Sequence, residues 1–210
     1  MAEQTGGQRA RRDRGVTWGG KPRRRLAAEM VACAVLAPVM TTQQATAVAY
    51  DPAADGYSMK SLTQNTGVTT WWDQGYTGAG VDVALIDTGV TPVEGLATPG
   101  KIVYGPDLSL ESQSPNLTHL DTNGHGTFMA GLIAAKSADY KGMAPGARIV
   151  SIKVGVADGG TDVSQVIAAI DWVVQHRRDN DLNIRVINLS YGTNSTQAWR
   201  HDPLSYAVEQ

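Results

Sequence analysis

Two side chains in this sequence are set up for acid–base chemistry. Asp87 closes an apolar run, Val81-Asp82-Val83-Ala84-Leu85-Ile86-Asp87, and is followed by Thr88-Gly89, which permits a tight turn. His125 sits in Asn123-Gly124-His125-Gly126-Thr127-Phe128-Met129-Ala130-Gly131, among small residues that let other backbone approach closely. A carboxylate can fix the tautomer of a histidine and stabilise its imidazolium, and that histidine can take the proton from a hydroxyl nucleophile. Neither residue alone is diagnostic. An acid at a strand end is commonly a turn former, and a histidine at a helix start is commonly a hydrogen-bonded surface group.

These two residues need a scaffold that brings a strand end to a helix start. Residues 81–86 are apolar on both faces, as in a central strand of a parallel sheet. A short strand is expected at 101–104 and a helix from about His125 to Ala135, with Phe128, Met129, Leu132 and Ile133 as its apolar side. A second core strand spans 147–154. Asp162 or Thr161 caps a helix whose apolar positions Val163, Val166, Ile167, Ile170, Val173 and Val174 share one face. A third core strand is expected at 184–190 and a further helix from Leu204 to Gln210. Two short helical segments are expected within 58–75, closed by Gly75. Strands alternating with helices give an α/β fold in three layers, a mainly parallel sheet with helices on both faces. In such sheets catalytic groups gather at the carboxyl ends of the strands, where Asp87 lies.

The amino-terminal quarter reads differently. Residues 1–25 hold eight basic residues against two acids, Leu26–Met40 is mostly apolar, and the stretch ends in Ala47-Val48-Ala49. That succession predicts a secretory signal peptide over 1–49, a flexible lead-in over 50–57 and a peptidase-like domain over 58–210. Without 1–49, basic residues fall from 18 to 10 and acidic ones from 20 to 17, leaving a net charge of about −7. This argues against a nucleic-acid partner. It suits a secreted, extracellular protein with no stable membrane association after cleavage. Cys33 is the only cysteine and lies in the removed segment. A disulfide, a thiolate-bound metal and a cysteine nucleophile are therefore excluded from the mature chain.

Taken together, the Asp87-Thr88-Gly89 and His125 boxes, Gly142-Met143-Ala144-Pro145-Gly146-Ala147, the strand Arg148–Val154 and Val186-Ile187-Asn188-Leu189-Ser190-Tyr191-Gly192 resemble the subtilisin-like serine proteases, in that family's order. The resemblance implies Asp87 as the orienting acid, His125 as the general base, and an exported endopeptidase acting on peptide or protein substrates. It also implies that Gly159 and Gly160, with Ser190, Tyr191 and Gly192, flank an extended peptide bound as an added strand. The family's serine box, Gly-Thr-Ser-Met-Ala-x-Pro, occurs nowhere in the 210 residues. A domain truncated at its C-terminus and inactive as given is the expectation, with a non-catalytic fragment that binds peptides or assembles with another chain as the alternative. Tyr50–Tyr57 is also too short for the folded propeptide the family usually carries.

Asp87-Thr88-Gly89 is also the aspartic-protease triplet, but no second copy exists to share a proton. His119 and Asp121 show no metal-ligand spacing with His125 and are expected to be solvated loop residues. The acidic loop 107–121 could hold a structural calcium ion, though no motif supports it. No cofactor is expected.

Overall fold

The computed structural model describes residues 50–193 and 196–210. Residues 1–49, where a signal peptide is expected, lie outside the described residues, and Cys33 with them. In chain order the elements are α1 (Met59–Asn65), α2 (Val68–Asp73), β1 (Asp82–Asp87), β2 (Ile102–Asp107), α3 (His125–Ala134), β3 (Arg148–Lys153), α4 (Val163–His176), β4 (Ile184–Leu189) and α5 (Pro203–Glu209). Residues 50–57 run as turns tied to α1, the Ser61 hydroxyl donating to the Asp55 carbonyl at 2.7 Å. No helix among the described residues is long and apolar enough to cross a membrane.

The four strands form one sheet in the order β2-β3-β1-β4, with every pairing parallel. β1 is central and wholly buried, which is why its sequence is apolar in both directions. Successive side chains of a strand point to opposite faces, so β1 feeds two cores. Ala84 and Ile86 pack with Val150 and Ile152 of β3 and with Val166, Ile170, Val173 and Leu204 from α4 and α5. Val83 and Leu85 pack on the other face with Ile149, Ala130 and Ala134, the last two from α3. The result is the three-layer α/β arrangement with helices on both faces.

α4 starts where the sequence places it. The Asp162 carboxylate accepts from the Ser164 N–H, and the Gln165 side chain accepts from the Asp162 N–H, completing a capping box. α5 is capped by Asp202 with Pro203 in its first turn.

Three expectations need correcting. α3 does not bury Phe128, which is 63 % exposed; Gly126, Ala130 and Ala134 face the core. Small residues win there because the helix must lie close against β1. In α4 the outermost apolar position, Val174, is half exposed. β4 is an edge, not a core strand: only Ile184 is buried, and Val186 and Ile187 are 50 % and 38 % exposed. The central and edge strands have similar apolar patterns, so pattern alone could not separate them.

Candidate active site

β1 ends with Asp87 at the carboxyl edge of the sheet, and α3 begins with His125 directly above it. The Asp87 side chain has no exposed surface, and its Oδ1 lies 2.8 Å from His125 Nδ1. A carboxylate can only accept, so this contact puts a hydrogen on Nδ1, and in the neutral ring the free lone pair is then on Nε2. The His125 side chain is 44 % exposed, open to a reactant on that other side. Oδ1 also accepts from the Thr88 N–H at 2.7 Å, and the Asp87 carbonyl accepts from the Val154 N–H at 2.8 Å, which fixes the acid to the end of β3.

Close approach of the two elements depends on glycine. A Cβ on Gly126 would overlap the Gly89 carbonyl and stand 3.1 Å from Asp87 Oδ1. Gly89 itself has φ +109°, in the region that favours glycine, and packs on the backbone of residues 119–121.

Asp121, expected to be a solvated loop residue, instead builds the site. The α3 N-cap position is Gly124, which has no side chain to cap the helix. Asp121 supplies the acceptors: Oδ1 takes the Gly124 N–H at 2.7 Å, and Oδ2 takes the Thr127 N–H at 2.8 Å and the Thr127 hydroxyl at 2.6 Å. Burial alone would raise its carboxyl, but the Thr127 hydroxyl and the Gly124 and Thr127 amides outweigh it and hold the group below the usual carboxylate value. Thr88 then joins the two boxes. Its hydroxyl donates to Asp121 at 2.8 Å and accepts from the Gly126 N–H at 2.9 Å. His119, the other residue read as solvated, lies against the Tyr104 ring at 5.1 Å between centroids.

A second element had no signal in the sequence. Lys153, at the end of β3, is completely buried and uses all three ammonium hydrogens. It donates to the carbonyls of Thr88 at 2.7 Å and Gly155 at 2.8 Å, and pairs with Glu111 Oε2 at 3.0 Å. Glu111 also accepts from the Thr122 hydroxyl at 2.7 Å and from the Ala157 N–H at 3.0 Å. One ion pair thus ties the turn after Asp87, the loop entering α3 and the segment after β3.

That segment holds Gly159 and Gly160. It forms a tight turn, with the Val156 N–H donating to the Gly160 carbonyl and the Gly159 N–H to the Val156 carbonyl. Asn123 Nδ2 donates to the Ala157 carbonyl at 2.9 Å, so the turn is moored beside His125. Ser190, Tyr191 and Gly192 continue from β4 as irregular chain. Ser190 is exposed and its hydroxyl accepts from Asn188 Nδ2. Tyr191 alone of the three turns inward, packing against the core beneath α4. In the acidic loop, Asp107, Glu111 and Asp121 are all engaged by protein donors.

Residues 78–210 match the Subtilase family. The chain belongs to that family. Among curated proteins it is 33 % identical over 141 residues to the minor extracellular protease Epr of Bacillus subtilis (strain 168), covering 66 % of this chain and 20 % of that protein. It is 32 % identical over 167 residues to the serine protease AprX of the same organism, covering 76 % and 35 %. Subtilisin BL of Lederbergia lenta is 34 % identical over 140 residues, covering 66 % and 47 %. The chain therefore spans less than half the length of these relatives. A solved cold adapted subtilisin-like serine proteinase aligns with a TM-score of 0.48 at 32 % identity, over 64 % of this chain and 43 % of that one.

Proposed function

We propose that this chain carries the acid–base half of an exported subtilisin-like serine endopeptidase, with Asp87 orienting and His125 acting as general base. The observation that carries the reading is the 2.8 Å contact between His125 Nδ1 and a fully buried Asp87 oxygen, in a chain of the Subtilase family. His125 Nε2 would take the proton from a serine hydroxyl as it attacks the peptide carbonyl, then return it to the leaving amine. Asp87 would stabilise the imidazolium formed between these steps. The turn at Gly159 and Gly160, with Ser190, Tyr191 and Gly192, would flank an extended peptide. The reaction calls for no cofactor or metal.

Secretion is supported by the basic, apolar, small-residue succession of 1–49 and by the name of the extracellular relative Epr. The mature charge of about −7 gives no support to nucleic-acid binding. Lacking a serine box, the 210 residues by themselves hydrolyse no peptide at a protease-like rate. A second reading, a non-catalytic chain that assembles with another, is favoured by the exposed apolar side chains Val186 and Ile187 on edge strand β4.

A fluorogenic peptide assay tests the proposal on two proteins, this chain and this chain joined in frame to a segment carrying the serine box. Turnover by the joined protein alone, abolished by a serine-directed inhibitor and by His125→Ala, is expected. Inhibitor-sensitive turnover by the 210 residues alone would show that the nucleophile lies within them.

A further inference from the structure

Asp87 Oδ2 and the hydroxyl of Tyr191 are both buried without a hydrogen-bond partner among the described residues. They are chemically complementary, because the carboxylate oxygen can only accept and the phenol has a hydrogen to give. One glycine, Gly155, touches both residues. The Gly155 N–H donates to the Asp87 carbonyl at 3.2 Å. The Tyr191 hydroxyl lies so close to Gly155 that a Cβ there would overlap it, and that Cβ would also stand 2.8 Å from Thr88 Cγ2. The missing side chain at 155 is what lets the phenol tip reach the end of β1. Burial first, then the negative charges of Asp87 and Asp121, push the phenol above the ordinary tyrosine value. It therefore keeps its hydrogen at neutral and mildly alkaline pH.

We propose that Tyr191 is a positioning residue for the Asp87–His125 pair, its hydroxyl donating to Asp87 Oδ2 directly or across one ordered water. Held at both oxygens, the carboxylate cannot swing, and Oδ1 stays aimed at His125 Nδ1. A buried acceptor left unsatisfied is costly, and the pairing supplies the partner that Oδ2 lacks. The purpose assigned to this pairing rests on the peptidase reading; the two unpartnered atoms do not.

The test uses the full chain labelled with ¹⁵N-histidine, reading the low-field Nδ1–H proton of His125, which is assigned by its loss in His125→Ala. Tyr191→Phe removes one oxygen and keeps the ring. With one donor gone, the carboxylate accepts more strongly from His125, and the proton resonance is expected to move downfield while the rest of the spectrum is unchanged. A resonance that stays in place would reduce Tyr191 to a packing residue and overturn the proposal. Should the variant fail to fold, a high-resolution crystal structure of the unaltered chain decides. Contacts of about 2.6–3.2 Å from the phenol to Oδ2, direct or through one water, are expected. A different donor on Oδ2 would overturn it. Absence of peptide hydrolysis would count against the peptidase reading and leave this measurement standing.

Discussion

β1 carries a buried aspartate at each end, and the two are treated in opposite ways. Asp82, 1 % exposed, has both oxygens matched: Arg148 donates to them at 2.6 and 2.7 Å, and the Asn183 N–H adds a third bond at 2.7 Å. Asp87, equally buried, meets no guanidinium or ammonium group among the described residues. It has a histidine and a backbone amide on one oxygen, and nothing from the described residues on the other. A planar guanidinium satisfies a carboxylate fully and leaves it no chemistry to do. The end that pins the strand is closed by a guanidinium; the end at the carboxyl edge of the sheet is met by a histidine and neutral donors, with Tyr191 proposed for its second oxygen. Functional groups are commonly held in surroundings that trade stability for chemistry.

The sharpest way to break this contrast is to remove each acid and measure stability. Asp82→Ala leaves Arg148 Nε and the Asn183 N–H without their acceptor, with only the Asp181 carbonyl still on Nη2, and should cost about 2–4 kcal/mol in urea unfolding. Next in size, Gly126→Ala drives a methyl group into the Gly89 carbonyl and should cost about 1–3 kcal/mol, with loss of the His125–Asp87 contact in the NMR spectrum. Asp87→Asn should change stability by about 1 kcal/mol or less, because the amide keeps an oxygen for Thr88 and relieves an under-solvated charge. A cost at Asp87 equal to that at Asp82 would dissolve the distinction.

The smallest effect is the pH dependence. Burial alone would raise the Asp82 carboxyl, but the Arg148 guanidinium and the Asn183 amide outweigh it and hold the group below its usual value. A folded value below the unfolded one, near 3.9, means the stabilisation is full above about pH 5 and is lost as pH falls through the folded value. Asp82→Asn should flatten this acid limb of the stability curve. An unchanged acid limb would show that other carboxylates carry it.

The same contrast explains what the sequence could and could not tell. The β1 strand, the start of α4 and the meeting of Asp87 with His125 were legible in local pattern: an apolar run, Thr161 or Asp162 ahead of a helical apolar stripe, a histidine between glycines; Gln165 completing the α4 cap shows only in the fold. Asp121 carried a weaker signal, an acceptor four residues ahead of His125 where the helix cap itself is glycine. Lys153 and Glu111 carried none. They are 42 residues apart in sequence, and a lysine ending an apolar strand reads as a solvated tip until the fold shows three oxygens around it. The exposure of β4 was also hidden, because strand composition does not record which strand lies at an edge.

The most direct test of the claim that Asp87 works chemically while Asp82 only holds the strand is turnover in the protein that carries the serine box. With Asp87→Asn, kcat/KM for a fluorogenic peptide should fall by about 10⁴-fold with the unfolding midpoint almost unmoved, because the amide favours the wrong histidine tautomer. A value within tenfold of the unaltered protein would contradict the account.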